Sequence, residues 1–130
     1  MEVSYYPGCS LHGTAREYDE STREVSEALG VKLHELEDWN CCGASSAHST
    51  DEVLALRLAD RNLAIAQRTG LDVVVPCAAC FSRLKAAQKA EEERRGGTGA
   101  EGTLRVLSLL EFLAAPALRE KIASRKKRSL

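Results

Sequence analysis

The sequence predicts an α/β domain with a mostly parallel four-stranded sheet and helices on its faces. Short β-prone runs alternate with helix-period segments in the order β-α-β-α-β-α-β-α, the pattern that brings strands into parallel through helical crossovers. The run Leu71-Asp72-Val73-Val74-Val75 is almost continuously apolar, as a strand covered on both faces would be. In addition, each group of cysteines directly follows a strand candidate, so Cys9, Cys41, Cys42, Cys77 and Cys80 are expected together beyond the C-terminal edge of one sheet.

The elements follow in order. Val3-Ser4-Tyr5-Tyr6 is β-prone and is stopped by Pro7-Gly8 just before Cys9. Thr14 and Glu17 have the spacing of a capping box. Tyr18, Thr22, Val25 and Leu29 then recur at helical spacing up to Gly30, a helix of about four turns. Val31 to Leu36 alternates apolar with polar and predicts a half-buried strand that ends shortly before Trp39-Asn40-Cys41-Cys42-Gly43. Ser49 and Glu52 form a second candidate capping box, opening a helix with an apolar face of Val53, Leu56, Leu63 and Ile65 and closing at Gly70. Beyond the third strand, Pro76 and Cys77 lead into a helix from near Ala79 through Leu84 and Ala87 to the charged stretch Glu91 to Arg95. Gly96-Gly97-Thr98-Gly99 is a loop, and without a Walker lysine it gives no reason to expect a phosphate site. Leu104 to Leu107 is the fourth strand, followed by a short helix over 109–114 that Pro116 ends, and by a last helical piece.

The 130 residues are 44% hydrophobic and 28% charged, which fits one globular domain with a modest core. We expect the cysteine-rich unit over residues 1–115 and a helical extension with a basic tail over 116–130. The net charge is −1 with both signs interspersed, which argues against a nucleic acid partner. The run Arg125 to Arg128 is read as a solvated tail. No stretch reaches the roughly 18 apolar residues of a spanning helix, and the N-terminus lacks a signal-peptide pattern, so the expected location is cytoplasmic. In a reducing compartment, five cysteines in a small domain point to metal or redox chemistry before disulfides.

Thiolates select zinc, copper(I) and iron–sulfur clusters. The C-x-x-C of Cys77 and Cys80 suits zinc and redox sites alike. The adjacent pair Cys41-Cys42 is less common. Neighbouring side chains on one turn reach a single tetrahedral ion only with strain, whereas a multi-iron core offers separate irons to diverging thiols. Five thiols also exceed the four ligands of a structural zinc site. Gly43 permits a tight turn against a bulky core, and helices starting after Cys9 and near Cys80 would direct N–H groups toward sulfur. His12 and His48 are candidates for a proton-carrying role nearby, but read more simply as exposed polar residues; His34 belongs to a strand's polar face. Trp39 either shields the site from water or simply packs beside it. No Ser/His/Asp set points to a hydrolase.

Here 31 residues separate Cys9 from Cys41, and 34 separate Cys42 from Cys77. This arrangement, with Cys41-Cys42-Gly43 and Cys77-Ala78-Ala79-Cys80, resembles the cysteine-rich CCG domain family. Tyr6-Pro7-Gly8-Cys9, Arg61-Asn62-Leu63 and Leu71-Asp72 look like the N-terminal half of the B-type subunit of heterodisulfide reductase and of related iron–sulfur subunits of succinate:quinone and glycolate oxidoreductases. The resemblance implies that Cys9, Cys41, Cys42, Cys77 and Cys80 hold a noncubane [4Fe-4S] cluster, or zinc as in some members, and that electrons pass to or from a thiol/disulfide or other acceptor. It also implies partners: flavin- or iron–sulfur-containing oxidoreductase subunits, or a second such domain, since family members usually carry two motifs. The chain is then a subunit or fragment rather than a complete enzyme, reaching a membrane-bound complex only through partners. Competing readings are a structural or assembly domain built on zinc, and a metal-free thiol sensor in which Cys77 and Cys80 form a reversible disulfide.

Overall fold

The computed structural model describes residues 1–8, 11, 15–40, 52–94 and 104–125. In chain order these form β1 (Glu2–Tyr5), α1 (Arg16–Ala28), β2 (Lys32–Glu35), α2 (Glu52–Thr69), β3 (Val73–Val75), α3 (Ala78–Arg94), β4 (Val106–Ser108), α4 (Leu109–Ala114) and α5 (Pro116–Arg125). The four strands make one sheet in the order β2-β1-β3-β4, and every pairing is parallel, which is the predicted α/β architecture. Val3 stands opposite Leu33, Tyr5 opposite Val74, and Val73 opposite Val106.

The two-residue period of the strands divides the core. Tyr6, Val73, Val75 and Val106 point to the face covered by α2 and α3, where Leu63, Ala66, Leu84 and Ala87 meet them. Val3 and Val74 point to the other face and pack with Leu29, Val31, Phe112 and Leu118. All of β3 is buried, which explains why it alone reads as a continuous apolar run. The helical piece after Pro116 belongs to this core, with Leu118 fully buried and Lys121 Nζ donating to Leu29 O at the end of α1. Pro116 ends one helix and opens the next, as its fixed φ and missing N–H allow.

The α3 face holds, with Leu84 and Ala87 buried, but α1 and part of α2 depart from the expected faces. Tyr18 and Val25 are each 46% exposed, and α1 buries Thr22 and Ser26 instead. The reason lies beneath it: the Tyr5 ring occupies that space and its hydroxyl donates to Asp19 Oδ1 at 2.7 Å, so α1 must present short and polar residues. Arg23 completes the contact with its guanidinium 4.9 Å above the ring. Burial, reinforced by the bond to Asp19, pushes the Tyr5 phenol well above its ordinary range, so it stays a neutral donor and is no candidate acid or base.

On α2, Leu63 and Ile65 are buried as expected, but Val53 and Leu56 are exposed, and Ala59, Asn62 and Ala66 join the buried face. α1 starts from Ala15 with no side-chain cap; Thr14 and Ser49, the expected caps, lie outside the described residues. A capping box does form at α4. Ser108 Oγ accepts from the Glu111 N–H at 3.1 Å, and Glu111 Oε1 accepts from the Ser108 N–H at 3.3 Å. β4 accordingly runs later than expected, because Ser108 ends the strand and caps the helix in one step. Ser108→Ala should cost about 1 kcal/mol of stability by urea unfolding, the usual worth of such a cap.

Candidate metal centre

The strand order places a switch point between β1 and β3. From β1 the chain leaves toward α1 on one face, and from β3 toward α3 on the other, and in open α/β sheets sites lie beyond the C-terminal strand ends at such a point. Two of the five predicted ligands stand there. Cys77 lies two residues past β3 and is half-buried, and Cys80 sits in the first turn of α3 and is 5% exposed. The Phe81 N–H bonds to Cys77 O at 2.9 Å, so the C-x-x-C segment is wound into the helix start.

The end of β1 lies directly against them. Gly8 has φ +80°, and a Cβ built on it would fall 2.7 Å from Cys80 Sγ and 3.8 Å from Cys77 Cβ. Only glycine lets the backbone come this close while holding that conformation. Gly8 immediately precedes Cys9 in the sequence.

The segment after β2 is tied to the same end of the sheet. The Tyr6 hydroxyl donates to Asn40 O at 2.7 Å, and Trp39 stacks edge-on against the Tyr6 ring with centroids 5.3 Å apart. Trp39 Nε1 donates to Glu35 Oε2 at 3.2 Å, so this ring is fixed from two sides. Asn40 immediately precedes Cys41.

Cys77 and Cys80 are thus brought together, while Cys9, Cys41 and Cys42, with His12 and His48, lie outside the described residues. His34 is on the surface beside Glu2, 3.2 Å away. Among the described residues no three His, Cys, Asp or Glu side chains converge as a cation site. A groove of about 950 Å³ runs along the β2 edge between Glu2, Arg23, His34 and Arg68, and no cysteine lines it. The donor chemistry of Cys77 and Cys80 fits a thiolate-bound metal, and Gly8, with no side chain, lets the end of β1 come up against the Cys80 thiol.

Asn62 stands in the stretch Arg61-Asn62-Leu63 that contributes to the resemblance, but no role for it was read from the sequence. In the structure its amide reaches both Asn40 and Tyr6. The available signal was a polar residue at an apolar position of the α2 stripe 59, 62, 63, 66.

The sequence model of the cysteine-rich domain called CCG matches residues 3–85. Among characterised proteins, the chain is 36% identical over 140 residues to the 8-methylmenaquinol:fumarate reductase membrane anchor subunit of Wolinella succinogenes, covering 99% of this chain and 48% of that one. It is 30% identical over 89 residues to a protein of Archaeoglobus profundus described as like the B-type subunit of heterodisulfide reductase, covering 68% of this chain and 30% of that one. It is also 26% identical over 136 residues to the B-type subunit of the ferredoxin/F(420)H(2)-dependent CoB-CoM heterodisulfide reductase of Methanosarcina acetivorans, covering 95% and 45%. The chain spans about half the length, or less, of these relatives.

Proposed function

This chain belongs to the cysteine-rich CCG domain family, and on that premise we propose that it is an iron–sulfur redox domain of a heterodisulfide reductase-like oxidoreductase. In this reading Cys9, Cys41, Cys42, Cys77 and Cys80 hold a noncubane [4Fe-4S] cluster. The observation that carries it is the close approach of Gly8 to Cys80 at the β1/β3 switch point, which joins the segment entering Cys9 to the C-x-x-C thiols. When bound, such a cluster supplies one-electron chemistry toward a thiol/disulfide or another acceptor.

The chain's own residues set the conditions for that chemistry. Burial of Cys80 keeps water from one thiol. Tyr6 and Trp39 form an aromatic wall beside the entry to Cys41, and a wall of this kind limits solvent access and so tunes potential. The named relatives are subunits, so the working assembly includes partner subunits carrying flavin or iron–sulfur groups, or a second domain of this family. Among the described residues no helix is long and apolar enough to cross a membrane.

Metal and acid-labile sulfide analysis after anaerobic reconstitution tests this. About four irons and four sulfides per chain are expected, falling in either Cys41→Ser or Cys42→Ser. About one zinc without sulfide, indifferent to one of those substitutions, would replace the redox reading with that of a zinc-built assembly domain.

A further inference from the structure

We infer that Asn62 is a positioning residue for the cysteine pair: its buried amide clamps the backbone of Asn40, the residue from which the chain enters Cys41 and Cys42. The inference concerns the site of the proposed cluster and rests on that reading only for its consequence on metal binding.

Asn62 is 1% exposed in the middle of the apolar stripe of α2. A buried amide is costly unless its groups are bonded. Here Asn62 Oδ1 accepts from the Asn40 N–H at 3.0 Å, and Nδ2 donates to Asn40 O at 2.8 Å and to the Tyr6 hydroxyl at 3.3 Å. One side-chain amide therefore engages both backbone groups of one residue. The Tyr6 hydroxyl closes the set by donating to the same carbonyl.

The Asn40 side chain is held too. Its Oδ1 accepts from Arg61 Nη1 at 2.6 Å and its Nδ2 donates to Leu58 O at 3.2 Å. Arg61 also reaches Asp38, bonding its backbone O at 2.8 Å and its Oδ2 at 2.6 Å.

Packing alone does not call for this arrangement. Ala59, Leu63 and Ala66 already make the stripe that seats α2 on the sheet, and an apolar residue at position 62 would extend it. What an apolar residue cannot do is hold the Asn40 carbonyl. That carbonyl is half of the planar unit joining Asn40 to Cys41, so fixing it restricts the direction in which the chain continues. Tyr6 lies two residues before Gly8, and the same hydroxyl therefore couples the segment entering Cys41 to the one entering Cys9.

The experiment compares the parent chain with Asn62→Leu, Tyr6→Phe and the control Gln88→Leu. Gln88 is another buried amide, donating to Leu104 O at 2.9 Å, and losing it removes a comparable bond without touching residue 40. In the metal-free, reduced chains, alkylation of each cysteine is followed by peptide mass spectrometry. In the reconstituted chains, iron retention against a chelator and the electron paramagnetic resonance spectrum are recorded.

Asn62→Leu is expected to change the alkylation rates of Cys41 and Cys42 several-fold. It should weaken iron retention about 10-fold or more and alter the spectrum, the scale typical of outer-shell substitutions. Tyr6→Phe, which keeps its shape, should follow in the same direction, while Gln88→Leu changes unfolding stability alone. Alkylation and retention in Asn62→Leu and Tyr6→Phe that match Gln88→Leu would overturn the inference and leave the cluster reading standing. A parent chain that takes up no iron, with alkylation still altered in Asn62→Leu, would overturn the cluster reading and leave the clamp.

Discussion

Gly8→Ala is expected to destabilise the protein by about 2–5 kcal/mol, combining roughly 1–2 kcal/mol for a left-handed L-residue with roughly 1–3 kcal/mol for overpacking. The added methyl would meet Cys80 Sγ at 2.7 Å, and this neighbour is the short, buried end of a side chain with one rotatable bond. The thiol must rotate, or the end of β1 must lift away from α3. Gly70→Ala is the matched control, because Gly70 has φ +71° and nothing lies within 4 Å of its added Cβ. It incurs the backbone strain without the overlap, so the difference in urea unfolding between the two variants, measured with reductant present, isolates the contact at the thiol. Iron uptake should fall in Gly8→Ala and hold in Gly70→Ala. Equal losses in both assays would mean that the approach of β1 to Cys80 does not shape the site.

Leu84→Ala carries the second large effect, an expected loss of about 2–5 kcal/mol in the same unfolding assay. Leu84 is fully buried one turn beyond Cys80, on the inward face of α3 that continues to Ala87 and Gln88. Side chains four apart share a helix face, so the contact that seats Leu84 against the sheet is also what turns the Cys80 thiol inward toward Gly8. Emptying that position leaves a cavity beneath the helix start and should raise the reactivity of Cys80 toward alkylating reagents. Leu110→Ala, at a position 80% exposed on α4, should stay within about 0.5 kcal/mol of the parent. A cost for Leu84→Ala no larger than this would show that α3 is not held by its inward face.

The α/β class, the parallel sheet and the family were legible in the chain because they depend on local and repeated signals. The all-valine run of β3 and the glycines that end helices survive translation from one dimension to three, and the cysteine spacing carried the family. The inward face of α1 was not legible. Tyr18 and Val25 have the right spacing and the right hydrophobicity, but Tyr5, distant in sequence, fills the space beneath the helix and demands Asp19, Thr22 and Ser26 there. The Ser108–Glu111 capping box was present as a motif, yet the β-prone Leu104–Leu107 run drew the strand too early.

The order of elements, the parallel class and the kind of donor offered to a metal can thus be read from the chain, since propensity, period and thiol chemistry belong to residues and short segments. Which residues meet is another matter, and it follows from packing. The strand order β2-β1-β3-β4 puts the switch point at β1 and β3, sets Gly8 against Cys80, and carries Asn62 of α2 to the backbone of Asn40. Those contacts join positions tens of residues apart, and their geometry arises from how whole elements pack, which no local pattern encodes.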